Sequence, residues 1–115
     1  MDVVEPVIDV PALMDRMAGD RDLLQELVAL YTADEGTLLG QIDAAIAAGD
    51  ADALRRAAHT LKGAVSNFCA PHAQSAALAL EMAGRAGSLG ETAVMARRLR
   101  EELGRFRIAL NDLVA

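Results

Sequence analysis

The run Ala58-His59-Thr60-Leu61-Lys62-Gly63 brings together the residue types in this chain best suited to chemistry. Wound at about 100° per residue, residues 51–69 separate into two faces. Leu54, Ala57, Leu61, Ala64, Val65 and Phe68 gather on one side; Asp52, Arg55, Arg56, His59, Lys62, Gly63, Ser66 and Asn67 gather on the other. His59 lies near the centre of the polar face, so its imidazole is expected in water and not in the core. A solvent-facing imidazole among cations suits chemistry with an anion. Lys62, at i+3, shares that face, and its ammonium can reach an oxygen carried on His59. Arg55 and Arg56, one turn earlier, raise the local positive potential. They disfavour the imidazolium and leave more of the ring neutral and nucleophilic. The same charges would stabilise the oxygens of a phosphoryl group. Gly63 follows His59 at i+4, where glycine costs a helix about 1 kcal/mol relative to alanine. A side chain there would crowd the imidazole, and its absence leaves the ring open to another protein's surface. An ordinary basic helix face with a tolerated glycine has the same residues, and spacing alone does not separate the two.

Such a face needs a helix, and the helix needs a core to pack on. At 115 residues the chain fits one domain with one hydrophobic core. Apolar residues make up 53% of it and aromatics only 3%, so alanine and leucine must build that core. They are strong helix formers, no stretch alternates apolar with polar, and Pro6, Pro11 and Pro71 are the only prolines. The fold class is all-α. Residues 1–8 are expected to be an extended, loosely packed extension, with the folded domain spanning residues 9–115. Asp9 can cap a short helix with Pro11 in its first turn, ending near Gly19. Asp20 can cap the next, where Leu23, Leu24, Leu27, Val28 and Tyr31 form an apolar stripe. Asp34 to Gly36 marks a weak break before Leu38, Leu39, Ile42, Ala45 and Ile46 continue to Gly49, giving two helices or one bent one. Asp50 opens the His59 helix. Pro71 ends it and starts an alanine-rich helix to residue 86. Ser88 to Glu91 has capping-box spacing before a last helix lined by Met95, Leu99, Leu103, Phe106, Leu110 and Leu113. The pattern predicts an antiparallel four-helix bundle with a short additional N-terminal helix covering one end.

The net charge of −6 argues against nucleic acid as a partner. The start of the chain lacks the features of a signal peptide, and no segment approaches the roughly 20 apolar residues that span a bilayer. With Cys69 as the sole cysteine, a cytoplasmic, non-membrane protein is expected. Two histidines and one cysteine give no metal-ligand spacing. No glycine-rich phosphate loop is present, so the chain should not phosphorylate itself from ATP. His72 reads as a surface or capping residue, and Glu81 as an exposed helix charge or salt-bridge partner. Met14, Met17, Met82 and Met95 read as core filler.

The hexapeptide 58–63, followed by Asn67 and Ala70 and by Leu80-Glu81 in the next helix, resembles the motif of histidine-containing phosphotransfer (HPt) domains. The matching layout covers roughly residues 9–113. The resemblance implies a four-helix bundle that carries phosphoryl groups in two-component phosphorelays, as a stoichiometric carrier and not an enzyme. It implies His59 as phosphoacceptor through Nε2, Lys62 beside the phosphoryl oxygens, Gly63 as the residue that clears access, and a supporting or partner-facing role for Asn67. The implied partners are response-regulator receiver domains or a hybrid histidine kinase. No cofactor is implied here, since Mg²⁺ would belong to the receiver. Arg55, Arg56 and Ser66 join the partner surface on the helical wheel alone. A monomer is the simpler expectation for an acceptor helix that partners must reach, and the initiating methionine favours a stand-alone protein. Ala64-Val65 departs from the small or hydroxyl residues frequent in the family, and Cys69 stands where glycine is frequent. A helical interaction module that uses the same face without phosphorylation is the competing reading.

Overall fold

Three aspartates start three helices. In a computed structural model that describes residues 5–115, Asp9 caps α1 (Val10–Arg16), Asp20 caps α2 (Arg21–Ala48) and Asp50 caps α3 (Ala51–Ser66). Each carboxylate accepts the backbone N–H three residues on, at 3.0–3.1 Å, and so satisfies a donor that the helix leaves unpaired. Pro71 begins α4 (Pro71–Ala86), and α5 runs Thr92–Val114. Short turns make α2 to α5 an antiparallel bundle in which α2 packs on α3, α3 on α4, α4 on α5, and α2 closes onto α5. The first helix lies over one end, fixed to the α3–α4 turn: the Asp9 N–H donates to the Cys69 carbonyl and the Arg16 guanidinium to that of Ser66.

Leu13, Leu24, Ile42, Leu54, Leu61, Leu80, Leu99, Leu103 and Leu110 fill the core, and the chain's three aromatics meet within it. Tyr31, Phe68 and Phe106 pack edge to face with centroids 5.1–5.8 Å apart. Alanines at 57, 58, 73, 76 and 77 line the α3–α4 seam as buried residues. Gly84 lets that seam close. A Cβ there would lie 2.7 Å from both the Ala51 carbonyl oxygen and the Arg55 nitrogen, against backbone that cannot yield.

Of the two alternatives at Asp34–Gly36 the single helix is the one that forms: α2 is one 28-residue helix, held through that point by buried Glu35. The Tyr31 hydroxyl donates to Glu35 at 2.7 Å and Arg107 of α5 pairs with it at 3.1 Å. Three other expectations need correction. The capping box at Ser88–Glu91 does not form. Gly87 ends α4 in the left-handed region at φ 70°, and the Ser88 N–H is used to close α4 on Ala83. At the start of α5, Leu89 instead accepts from both the backbone N–H and the hydroxyl of Thr92. Of the expected loose extension, residues 1–4 lie outside the described residues, whereas Ile8 is buried in the core. Met82 faces solvent and is not core filler.

Candidate functional site

The division of α3 into two faces places His59. Leu54, Ala57, Ala58, Leu61 and Val65 are buried, which turns the opposite side of the helix outward and leaves the His59 side chain 65% exposed. The ring is nevertheless held. Glu81, on α4, is 2% exposed, and its Oε2 lies 3.3 Å from His59 Nδ1. A carboxylate only accepts, so in the neutral imidazole this contact goes with the proton on Nδ1 and leaves the lone pair on Nε2. Nε2 has no hydrogen-bond partner among the described residues.

Glu81 also gathers the cations. Lys62 Nζ is 2.7 Å from Oε1, a close ion pair. Arg85 donates to Oε2 at 3.1 Å from the next turn of α4. Lys62 beside it holds the Glu81 carboxyl below the ordinary glutamate range, with the His59 contact acting the same way, against a desolvation that pushes it up. The nitrogen partners therefore outweigh burial and keep this side chain an anion. The expectation of an exposed helix charge at Glu81 is corrected: it is a buried salt-bridge partner.

The other residues of the polar face separate into those the site uses and those it does not. A Cβ on Gly63 would meet nothing within 4 Å. Among the described residues no packing requires this glycine. Arg55 and Arg56 share one anion, which neutralises part of the positive charge they bring to this face. Both pair with Asp52, at 3.0 and 2.8 Å, and hold its carboxyl below the usual range. Ser66 is half-buried, its hydroxyl donating to the Gly63 carbonyl, and Asn67 is the exposed C-cap of α3. His72 sits in the first turn of α4, where its Nε2 donates to the Glu5 carbonyl at 2.7 Å, apart from the His59 cluster. An apolar groove of about 500 Å³ runs between α2 and the Thr60–Ala64–Asn67 edge of α3, with Leu27, Leu30, Leu38 and Phe68 in its lining. Arg85 was not visible to a reading confined to α3. Its signal was the i,i+4 spacing from Glu81.

Comparison with known proteins follows the same lines. The family model of the Hpt domain matches residues 26–109. The crystal structure of histidine-containing phosphotransfer protein B (HptB) from Pseudomonas aeruginosa PAO1 superimposes with a TM-score of 0.87, at 28% sequence identity over 95% of each chain. Comparison with curated proteins finds no match.

Proposed function

The chain belongs to the Hpt-domain family, the histidine phosphotransfer proteins of phosphorelays, and on that basis we propose that His59 is its phosphoacceptor, loaded from and unloaded to receiver-domain aspartates. One observation carries this reading: Glu81 lies in position to accept a hydrogen bond from Nδ1–H of an exposed imidazole, and a Cβ on Gly63 would meet nothing within 4 Å among the described residues. The Nε2 lone pair attacks phosphorus in line, and the bond from phosphorus to the aspartate oxygen breaks with its electron pair on the carboxylate. The ring gains positive charge, which Glu81 stabilises through Nδ1. Lys62 has further N–H donors beyond the one turned to Glu81, and one of these can meet a phosphoryl oxygen. Ser66 and Asn67 lie on the surface that a receiver would cover.

The reading assigns Mg²⁺ to the receiver and no cofactor to this chain. It makes the protein a cytoplasmic, monomeric carrier with no ATP-dependent kinase activity, and with receivers or a hybrid kinase, not nucleic acid, as partners. Among the described residues no helix is long and apolar enough to cross a membrane. The test is transfer from a panel of phosphorylated receiver domains. Acid-labile, base-stable phosphate on the wild type and none on His59→Gln supports the assignment. Receiver binding without transfer in either protein would make the chain an adaptor.

A further inference from the structure

We propose that Asp34 selects which receiver loads His59, by demanding a lysine or arginine from the partner surface that covers the apolar groove beside α3. The inference rests on His59 being the acceptor. The groove borders the site: Thr60 and Ala64, in its lining, are the chain neighbours of His59 and Gly63. Leu27, Leu30, Leu38 and Phe68 form its apolar walls, and Leu30 is 62% exposed. Such walls accept an apolar side chain from many partners and separate them poorly. The charged residues in the lining are Arg16 and Asp34. Arg16 already has an acceptor, the Ser66 carbonyl at 2.9 Å. The Asp34 side chain is exposed and, among the described residues, has neither a hydrogen bond nor an ion pair. Its neighbour Glu35 marks the contrast, buried and held by Tyr31 and Arg107.

Docking changes what that carboxylate costs. In the free protein water solvates Asp34 from the open side of the groove. An apolar surface laid over the groove removes that water and leaves an unpaired anion beside leucine walls, which opposes binding. A partner that brings a lysine or arginine to the same place replaces the lost water with a charge-assisted contact. Asp34 therefore acts mainly by rejection. It adds little for a receiver that carries the cation and penalises one that lacks it, so it separates partners that the apolar walls treat alike. The occupant that fits is a receiver surface with an apolar side chain for the leucine walls, flanked by one cation opposite Asp34.

The test measures transfer from phosphorylated receiver domains to the full chain, as wild type and as Asp34→Asn. In the receiver that the wild type accepts from best, exposed lysines and arginines are replaced by alanine one at a time. One replacement should raise KM about 30-fold for the wild type, the low end of what leaving a covered charge unpaired costs. The same replacement should raise it only about threefold for Asp34→Asn, with kcat unchanged in both. Leu30→Ser should raise KM for every receiver alike, because the apolar wall serves them all. Loading from a small phosphoramidate, whose P–N bond breaks with ammonia as leaving group, should run equally in the wild type and Asp34→Asn, since no partner covers the groove. A KM that depends on no receiver cation, or depends on one equally in both proteins, would overturn the proposal. Slower phosphoramidate loading of Asp34→Asn would do so too, by moving Asp34 into the chemistry at His59. An unchanged KM in Leu30→Ser would leave the groove to another occupant, such as a second copy of this chain, and end the proposal. Phosphate still accepted from phosphoramidate by His59→Gln would instead remove the acceptor assignment, and this proposal with it.

Discussion

Glu81 and Glu35 are the same device used to different ends. Each is a buried carboxylate with one partner four residues away on its own helix and one cation from a neighbouring helix. Glu35 accepts from the Tyr31 hydroxyl and pairs with Arg107, joining α2 to α5. Glu81 accepts from Arg85 and pairs with Lys62, joining α4 to α3. The difference is the third partner. Glu81 also holds an imidazole whose second nitrogen has no partner, on a side chain 65% exposed. Glu35 holds a phenol whose pKa is pushed up by burial and then by Glu35 itself, so the group stays protonated and inert. A buried anion becomes part of a reactive site when one of its donors has another nitrogen at the surface.

Removing each carboxylate separates the two roles. Glu81→Ala should slow receiver-to-protein transfer by about 100-fold, the upper end of what losing the orienting partner of a functional histidine costs in metal sites. Glu35→Ala should leave transfer intact in the folded protein but lower stability by about 2 kcal/mol, because the Tyr31 hydroxyl loses its acceptor. Transfer kinetics and urea unfolding on both variants measure this, and comparable transfer losses in the two would erase the distinction.

The same split appears between two glycines. Gly84→Ala should cost about 1–3 kcal/mol by forcing α3 from α4. Gly63→Ala should gain up to about 1 kcal/mol of helix stability and still slow transfer, because the methyl group obstructs only a partner. Thermal unfolding and transfer assays should therefore move in opposite directions for Gly63→Ala.

The smallest effect is in acid. The folded pKa of Glu81 is lowered, so its ionised form contributes stability that is complete above the unfolded value of about 4.3. That contribution is lost as pH falls through the folded value. Urea unfolding of Glu81→Gln should accordingly show a shallower loss of stability than the wild type below about pH 4.3 and a parallel profile above pH 5.

The scaffold was legible because its signals are local. Aspartate caps at 9, 20 and 50 and the proline at 71 act within one turn, and the structure uses all four. Where two local signals competed, the reading faltered. Gly87 and Ser88 are consumed in ending α4, so Ser88 cannot also cap α5. At Asp34–Gly36 the burial of Glu35 by α5 outweighs the helix-breaking tendency of Gly36, which is tertiary information. The site divided in the same way. His59 and Gly63 stand out on one helical wheel, but Glu81 and Arg85 belong to a second helix. Their nearness to His59 depends on how closely α3 and α4 approach. A trace of that approach was present in Ala73, Ala77 and Gly84, which put small residues on the face carrying Glu81. Cys69, where the family often has glycine, adopts φ 55°, the left-handed conformation that glycine accepts without strain.

The central claim is that Glu81 fixes which nitrogen of His59 reacts. The direct measurement is ¹⁵N and ³¹P NMR of the uniformly labelled protein after loading by a phosphorylated receiver. The account predicts phosphorus coupled to Nε2 of His59, with the proton retained on Nδ1. Phosphorus on Nδ1, or on His72, would contradict it.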